Sequence, residues 1–193
     1  MRVLLIDHED SFVYNLYQGL ETLGAAVDCV RYTEPLRRSL ALDPDAIVLS
    51  PGPGHPSDRR ITGHARRLLD HWRTEKPFLG VCLGHQLIGE YYGGRVGRAD
   101  SPVHGETVEI EHADAPLFRH VPTRFRGARY HSLVVQRQGL PKDLVVAAAT
   151  RDHTIMALDH RTDPVHGVQF HPESYLTPEG PRILQNFLAE ARR

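Results

Sequence analysis

The stretch Phe78-Leu79-Gly80-Val81-Cys82-Leu83-Gly84-His85-Gln86 decides the fold, because it joins a strand pattern to a helical pattern almost without a loop. The apolar run Phe78–Val81 predicts a buried strand, and a helix is expected over about Leu83–Tyr92. Glycines two positions before and two positions after Cys82 permit a sharp, crowded turn. Such a turn lifts one side chain above the carboxyl end of a sheet, where ligands bind in open α/β folds. Cys82 is therefore a candidate functional residue.

Short apolar runs and helical patterns alternate along the chain before this stretch. Phe12, Leu16 and Leu20 fall on one helical face and predict a helix over about 12–23. Asp10 or Ser11 is expected to cap its first turn. The alternation predicts a parallel sheet with helices on both faces. The other elements predicted in this half are the strands Val3–Ile6, Val27–Val30 and Ala46–Leu49 and a polar helix over about 62–73.

The second half of the chain consists mainly of short strand-like runs separated by turn residues. They predict antiparallel additions to the sheet or a small second sheet, followed by a last helix from near Pro181 to near Arg192. The runs are Glu106–Glu111, Arg124–Val135, Leu144–Ala149, Ile155–Asp159 and Val165–Phe170. The predicted class is α/β, with a mostly parallel, flavodoxin-like central sheet, helices on both faces and a small antiparallel extension. A single domain over residues 1–193 is expected, because no linker or repeat interrupts the pattern.

Composition excludes several classes of protein. The chain has 193 residues and a net charge of -1, so there is no electrostatic case for nucleic-acid binding. Its longest apolar run, Leu144–Ala149, is far shorter than the roughly 20 residues of a membrane helix. The two cysteines, Cys29 and Cys82, are too few for a disulfide framework, so we expect a cytoplasmic protein. The 13 histidines are scattered and match no zinc-binding spacing, so no metal site is expected.

The run Gly167–Ser174 offers a base for a cysteine nucleophile and a group to orient that base. Residues i and i+2 of an extended segment face the same way, so His171 and Glu173 are expected to be neighbours. Pro172 between them keeps the segment stiff. Two structural alternatives stay open from the residues alone. His-Pro-Glu also suits a surface turn, and Cys82 also suits a buried core position like that expected for Cys29.

The loop Ser50–Pro56 follows another predicted strand end. Its two glycines allow close backbone approach, while its prolines fix the chain. The backbone N–H groups of Gly54 and Leu83 would then form an oxyanion hole beside the cysteine. An ordinary tight loop is the alternative, and a phosphate-binding loop is excluded because Gly-Lys-Ser/Thr is missing.

Together these segments resemble the class I (triad) glutamine amidotransferases over nearly the whole chain. Within that family the sequence is most similar to the small glutaminase subunits of anthranilate synthase and aminodeoxychorismate synthase. The stretches that carry the resemblance are Leu4–Asp7, Asp10–Phe12, Tyr14–Leu16, Leu49–Gly54, Gly80–Gln86, Arg129–Val135, Gly167–Ser174 and Leu176–Gly180.

The resemblance implies a mechanism and a partner. Cys82 would attack the glutamine side-chain amide to form a γ-glutamyl thioester, His171 would shuttle protons and Glu173 would orient His171. No cofactor or metal is implied for this subunit, whereas Mg²⁺ is expected in the partner, a chorismate-using synthase component I. The positions implied to bind L-glutamine or its oxyanion are Gly52, Pro53, Gly54, Leu83, Gln86, Ser132 and Leu133.

Four residues depart from the family pattern or stay open. His8-Glu9 stands where the family usually has Asn-Tyr, in a region expected near the partner interface, so it bears on which partner is served. Tyr175 replaces a smaller aliphatic residue, and His104 is expected to cap a turn rather than lie at the site.

Other functions remain as alternatives. One is a glutaminase subunit of a different ammonia-using synthase, against which the stretch Arg129–Val135 argues. Another is a stand-alone cysteine peptidase or γ-glutamyl hydrolase, for which no additional substrate-binding insertion is visible. A non-catalytic binding module is disfavoured because Cys82, His171 and Glu173 are all present.

Overall fold

A nine-stranded mixed sheet forms the centre of the computed structural model, which describes residues 1–99 and 105–192. His104, for which a turn was expected, lies outside these residues. The strands are β1 (Arg2–Asp7), β2 (Ala26–Arg31), β3 (Ala46–Leu49), β4 (Phe78–Val81), β5 (Val96–Arg98), β6 (Glu106–His112), β7 (Arg124–Arg129), β8 (Leu133–Val135), β9 (Leu144–Thr150), β10 (Ile155–His160) and β11 (Val165–Val168). The helices are α1 (Val13–Thr22), α2 (Leu36–Leu42), α3 (Arg59–Trp72), α4 (Leu83–Tyr91) and α5 (Gly180–Glu190).

The parallel half of the sheet has the order β2-β1-β3-β4-β11. In β1, Val3 and Leu5 pack in one apolar cluster with α1 and α5, while Leu4 and Ile6 pack in another with α3 and α4. This division follows from the two-residue period of a strand. It confirms the predicted parallel sheet with helices on both faces and explains why these strands are apolar throughout.

The antiparallel half is larger than expected. Strands β10, β9, β6 and β7 continue the sheet beyond β11, and β5 pairs with β8 in a separate two-stranded ribbon. Both forms that the sequence left open are therefore present. The prediction of one strand-like run over Arg124–Val135 is wrong, because the chain leaves the large sheet after Arg129 and re-enters a strand, in the ribbon, at Leu133.

Helix boundaries differ from prediction where local hydrogen bonds decide them. Helix α1 begins at Val13 with Phe12 at its N-cap, and no side chain caps it. The predicted cap at Asp10 or Ser11 is therefore wrong, because the Asp10 carboxylate accepts the Phe12 N–H at 2.8 Å, before the first helical residue. Helix α3 begins three residues earlier than predicted, because the Asp58 carboxylate accepts the N–H of Arg60 in its first turn. Of the helices in the described parts of the chain, none is both long and apolar enough to cross a membrane.

Candidate active site

Cys82 occupies a strained turn between β4 and α4, with φ 51° and ψ -98°. Its N–H donates to the Val168 carbonyl at 2.9 Å, which fastens the turn to the neighbouring strand. A Cβ on Gly80 would lie 2.4 Å from the carbonyl carbon of Gly84, and one on Gly84 would lie 2.3 Å from the carbonyl oxygen of Leu49. Both flanking positions therefore require glycine. The turn places the cysteine at the amino end of α4, where the helix dipole favours a thiolate.

His171 lies just beyond β11 and is held by its backbone. Its N–H donates to the Ala128 carbonyl at 3.2 Å, and its own carbonyl accepts the Thr177 hydroxyl at 2.7 Å. That hydroxyl oxygen also accepts the Ala128 N–H at 3.0 Å, so one threonine ties β7 to the segment after β11. The imidazole position is thus fixed by the sheet rather than by a free loop.

The side chains of His171 and Glu173 are joined by a hydrogen bond of 2.6 Å between Nδ1 and Oε1. Both side chains are almost completely buried, with exposed fractions of 3% and 1%. Burial lowers the pKa of His171, but its interactions with Cys82 and Glu173 outweigh burial and raise that pKa to about 10. The other ring nitrogen, Nε2, has no hydrogen-bond partner within residues 1–99 and 105–192. His171 and Glu173 are therefore joined directly, and the imidazole also interacts with Cys82. The catalytic roles of the three residues stay a prediction.

The loop after β3 packs directly on the start of α4. A Cβ on Gly52 would lie 2.6 Å from Cβ of His8 and 2.9 Å from Cδ2 of Leu83. Gly52 and the buried Leu83 are thus in contact beside the cysteine. Pro53 and Gly54 are exposed at the tip of the loop, where Gly54 has a positive φ of 92°. The oxyanion role of Gly54 stays a prediction.

His8, in the region expected near the partner interface, has a buried side chain. The side chain is fully buried beneath the Gly52 loop, and burial lowers its pKa to about 4. Its backbone N–H donates to the Ser50 hydroxyl oxygen at 2.9 Å. The residue that departs from the family pattern at position 8 therefore packs under the Gly52 loop and supports it. Its neighbour Glu9 is exposed.

Gln86 is turned into the protein, with 3% exposure. Its Nε2 donates to the Leu133 carbonyl at 2.9 Å and to Oε1 of Gln169 at 3.2 Å. The structure thus brings together two of the predicted glutamine-binding positions, Gln86 and Leu133. Ser132 beside them is exposed, and its carbonyl accepts the Ala99 N–H at 2.9 Å.

Three residues at the site were not predicted to be there. Gln169 is fully buried, and its Nε2 lies 3.7 Å from Sγ of Cys82. The rings of Tyr130 and Phe12 lie 5.0 and 6.1 Å from the His171 ring, both edge-on. Phe12 was expected on the buried face of α1, but it is 38% exposed and lies outside the helix. The two-residue strand period would have found Gln169, which shares a face with His171.

The second cysteine has a different environment. Cys29 is half-buried in β2, and burial raises the pKa of its thiol to about 11. Both cysteines are free. Within the described residues, no group of three or more histidine, cysteine, aspartate and glutamate side chains is placed to hold a metal ion.

A cysteine on a strained strand–helix turn, beside a buried histidine–glutamate pair at the carboxyl edge of a parallel sheet, defines a class of cysteine-dependent α/β enzymes. The family model described as glutamine amidotransferase class-I matches residues 4–191. The chain belongs to this family, and the predicted resemblance and enzyme class are confirmed.

Individual relatives agree with this assignment. Anthranilate synthase component 2 of Methanothermobacter marburgensis is 47% identical over 192 residues, covering 96% of this chain and 97% of that protein. An aminodeoxychorismate synthase of Streptomyces pristinaespiralis is 44% identical over 97% of this chain, which corresponds to 26% of that longer protein. The crystal structure of a glutamine amidotransferase from Thermotoga maritima superposes with a TM-score of 0.77 over 99% of this chain and 97% of that one, at 18% identity, and shows a shared fold.

Proposed function

We propose that this chain is the glutaminase subunit of a chorismate-using synthase, either anthranilate synthase or aminodeoxychorismate synthase. It hydrolyses glutamine to glutamate and passes ammonia to a separate component I. The observation that carries the proposal is the match, along almost the full length of both chains, to an anthranilate synthase component 2. The hydrogen bond between His171 and Glu173 and the interaction of the imidazole with Cys82 support amide cleavage by these three residues.

The first half-reaction forms a thioester. The Cys82 thiolate attacks the side-chain carbonyl carbon of glutamine, and the oxygen becomes an oxyanion held by the backbone N–H groups of Leu83 and Gly54. The C–N bond then breaks as the His171 imidazolium gives its Nε2 proton to the leaving nitrogen, so ammonia departs. The raised pKa of His171 supports this step, because the ring begins in the protonated form.

The second half-reaction releases glutamate. The now neutral imidazole of His171 takes a proton from water, the resulting hydroxide adds to the thioester carbonyl, and the C–S bond breaks to return the thiolate. Glu173, at 2.6 Å from Nδ1, holds the ring in one orientation and offsets its positive charge throughout. No metal or cofactor in this subunit is needed for either step, and we assign the Mg²⁺ requirement to the synthase partner.

Glutamine is proposed to lie between the Gly52–Gly54 loop and the segment Ser132–Leu133. The buried Gln86 side chain holds this segment in place by donating a hydrogen bond to the Leu133 carbonyl. The partner is proposed to dock over two exposed aromatic side chains, Tyr14 in the first turn of α1 (69% exposed) and Tyr175 two residues after Glu173 (89% exposed). The two free cysteines support a reducing, cytoplasmic location.

The test uses the complex of this chain with its co-purified synthase partner. Cys82→Ala is expected to abolish synthesis from chorismate and glutamine while leaving synthesis from chorismate and ammonia intact. Cys29→Ala is the matched control and should support both reactions. Retention of glutamine use by the Cys82→Ala complex would show that the nucleophile is assigned wrongly. Chromatography of the aromatic product then separates anthranilate from aminodeoxychorismate, and mass spectrometry should detect a glutamyl adduct on Cys82.

The same assay separates the roles of the other two residues. His171→Ala is expected to lower glutamine-dependent turnover by about 100-fold or more, because proton transfer contributes that much to catalysis. Glu173→Ala should lower it less, since orientation is worth less than proton transfer. Equal and complete loss in both variants, with folding intact, would contradict these separate roles.

A further inference from the structure

Two buried side-chain amides form a continuous chain from the Leu133 carbonyl to the sulfur of Cys82. Gln86 donates from Nε2 to the Leu133 carbonyl at 2.9 Å and to Oε1 of Gln169 at 3.2 Å. Nε2 of Gln169 then lies 3.7 Å from Sγ. Gln86 and Gln169 are 3% and 0% exposed, so water does not compete for these contacts.

The orientation of both amides follows from the first link. A backbone carbonyl only accepts hydrogen bonds, so Gln86 must present its NH₂ group to Leu133. The same NH₂ group points at Gln169, which must present its oxygen in return. Gln169 therefore has only its own NH₂ group left to direct at the sulfur.

We propose that Gln169 donates a hydrogen bond to the Cys82 thiolate and stabilises it, and that Gln86 is a positioning residue that fixes the Gln169 amide from the Leu133 carbonyl. The proposal rests on the nucleophilic role proposed above for Cys82. Hydrogen bonds to an ionised acceptor are roughly twice as strong as those between neutral groups. Gln169 thus gives the sulfur a donor that is independent of His171.

The segment that carries Gln169, immediately after β11, is fixed by backbone hydrogen bonds on both sides. The Gln169 N–H donates to the Met156 carbonyl at 2.9 Å, while the N–H of Cys82 donates to the preceding residue, Val168, at 2.9 Å. A Cβ on Gly167 would lie 2.8 Å from Nδ1 of His85, so α4 packs closely on this strand. Main-chain hydrogen bonds therefore hold the backbones of Gln169 and Cys82 in fixed positions on neighbouring strand ends.

The chain of amides also connects the thiolate to the proposed substrate-binding segment. Leu133 is the acceptor that sets the direction of every later link. A shift of this carbonyl would release Gln86, and Gln169 would lose the partner that keeps its NH₂ group on the sulfur. Ordering of the segment by glutamine would therefore stabilise the nucleophile.

The titratable groups around the sulfur must be considered in any pH measurement. His171 interacts directly with Cys82, and Glu173 lies behind it. His131 interacts electrostatically with His171, and His85 interacts electrostatically with His131. Burial lowers the pKa of His131 to about 4 and that of His85 to about 3, so both rings stay neutral across the measured range.

The experiment measures the pH dependence of Cys82 alkylation by iodoacetamide in the Cys29→Ser background, followed by intact-protein mass spectrometry. Gln169→Leu is expected to raise the apparent pKa of Cys82 by about one unit and to lower alkylation below that pKa about tenfold. Gln86→Leu should move the pKa in the same direction by a smaller amount. Gln185→Leu, on the exposed face of α5, is the matched control and should leave the profile unchanged.

Gln169→Glu provides a second test that preserves side-chain length and the oxygen that accepts from Gln86. It replaces the donor at the sulfur with an oxygen, so the apparent pKa of Cys82 should again rise. If Gln169→Leu does not fold, this variant provides the test. Unchanged profiles in folded Gln169 variants would overturn the proposal. Alkylation needs neither glutamine nor a partner, so this outcome is distinct from failure of the proposed function, which appears as glutamine-dependent synthesis by Cys82→Ala.

Discussion

His166 on β11 is held between two carboxylates from different elements. Its Nδ1 lies 2.8 Å from Oδ1 of Asp159 on β10, and its Nε2 lies 2.8 Å from Oε2 of Glu190 at the end of α5. The imidazole is only 6% exposed. This arrangement ties α5 to the strand that leads to His171, so its protonation state should affect the stability of the whole site.

The magnitude follows from the pKa. Burial alone lowers the pKa of His166, but hydrogen bonds to Asp159 and Glu190 outweigh it and raise the pKa from 6.5 to about 9. A group with a raised folded-state pKa contributes its full stabilisation below the unfolded-state value and loses it as pH rises through the folded-state value. At 1.36 kcal/mol per unit, the contribution is about 3 kcal/mol near pH 6 and disappears above about pH 9.

The assay is urea unfolding followed by the fluorescence of Trp72, the single tryptophan, which is 5% exposed. His166→Gln should lower the free energy of unfolding by about 3 kcal/mol near pH 6, and its deficit should shrink towards zero by about pH 10. His171 titrates in both proteins, so its effect cancels in the difference. His153→Asn removes an exposed imidazole and serves as the control. A deficit that is constant with pH would refute the reasoning.

Two further predictions concern crowding and thiol reactivity. Gly84→Ala should lower the free energy of unfolding by about 1–3 kcal/mol in urea, because its Cβ would lie 2.3 Å from the Leu49 carbonyl oxygen. Gly63→Ala in α3 should raise it by up to about 1 kcal/mol, because nothing lies within 4 Å of its Cβ; the same sign for both would contradict the crowding argument. Burial raises the pKa of Cys29 to about 11, so peptide mass spectrometry should find Cys82 alkylated first at neutral pH, and equal labelling would count against this environment.

Much of the parallel half of the fold is predictable from local sequence. Its strands are buried on both faces, so they appear as unbroken apolar runs bounded by glycine, proline and polar residues. The predicted bounds of β3 and β4, Ala46–Leu49 and Phe78–Val81, are those of the structure. The apolar runs alone are enough to predict where these strands begin and end, without knowledge of which strands they pair with.

Elements whose state depends on distant partners could not be predicted from the sequence. Helix α2 (Leu36–Leu42) buries only Ser39 fully, so it lacks a strong apolar stripe. Strands β7 and β8 look continuous in sequence, and only their pairing with β6 and β5 separates them. Phe12 fits the helical period of α1, but the Asp10 side chain begins the chain reversal just before it, which leaves the ring beside His171.

The candidate site divides in the same way. His171 and Glu173 are two residues apart in an extended segment, so the strand period alone predicts that they meet. The contact of Gln86 with Leu133 and Gln169 joins three separate elements and has no local signature. A single sequence cannot reveal such a contact, because it does not state which strands are neighbours.

The register between β4 and β11 connects the locally predictable strands with the contacts between distant residues at the site. The strands are parallel, with Val81 opposite Val168. The next residue on each side is Cys82 and Gln169, so the register itself sets the nucleophile opposite an amide and leaves His171 two residues further along the same face. A slip of one residue would place Phe170 opposite the cysteine and remove the donor from the sulfur. The hydrogen bond from the Cys82 N–H to the Val168 carbonyl, at 2.9 Å, holds this register at the point where the chemistry depends on it.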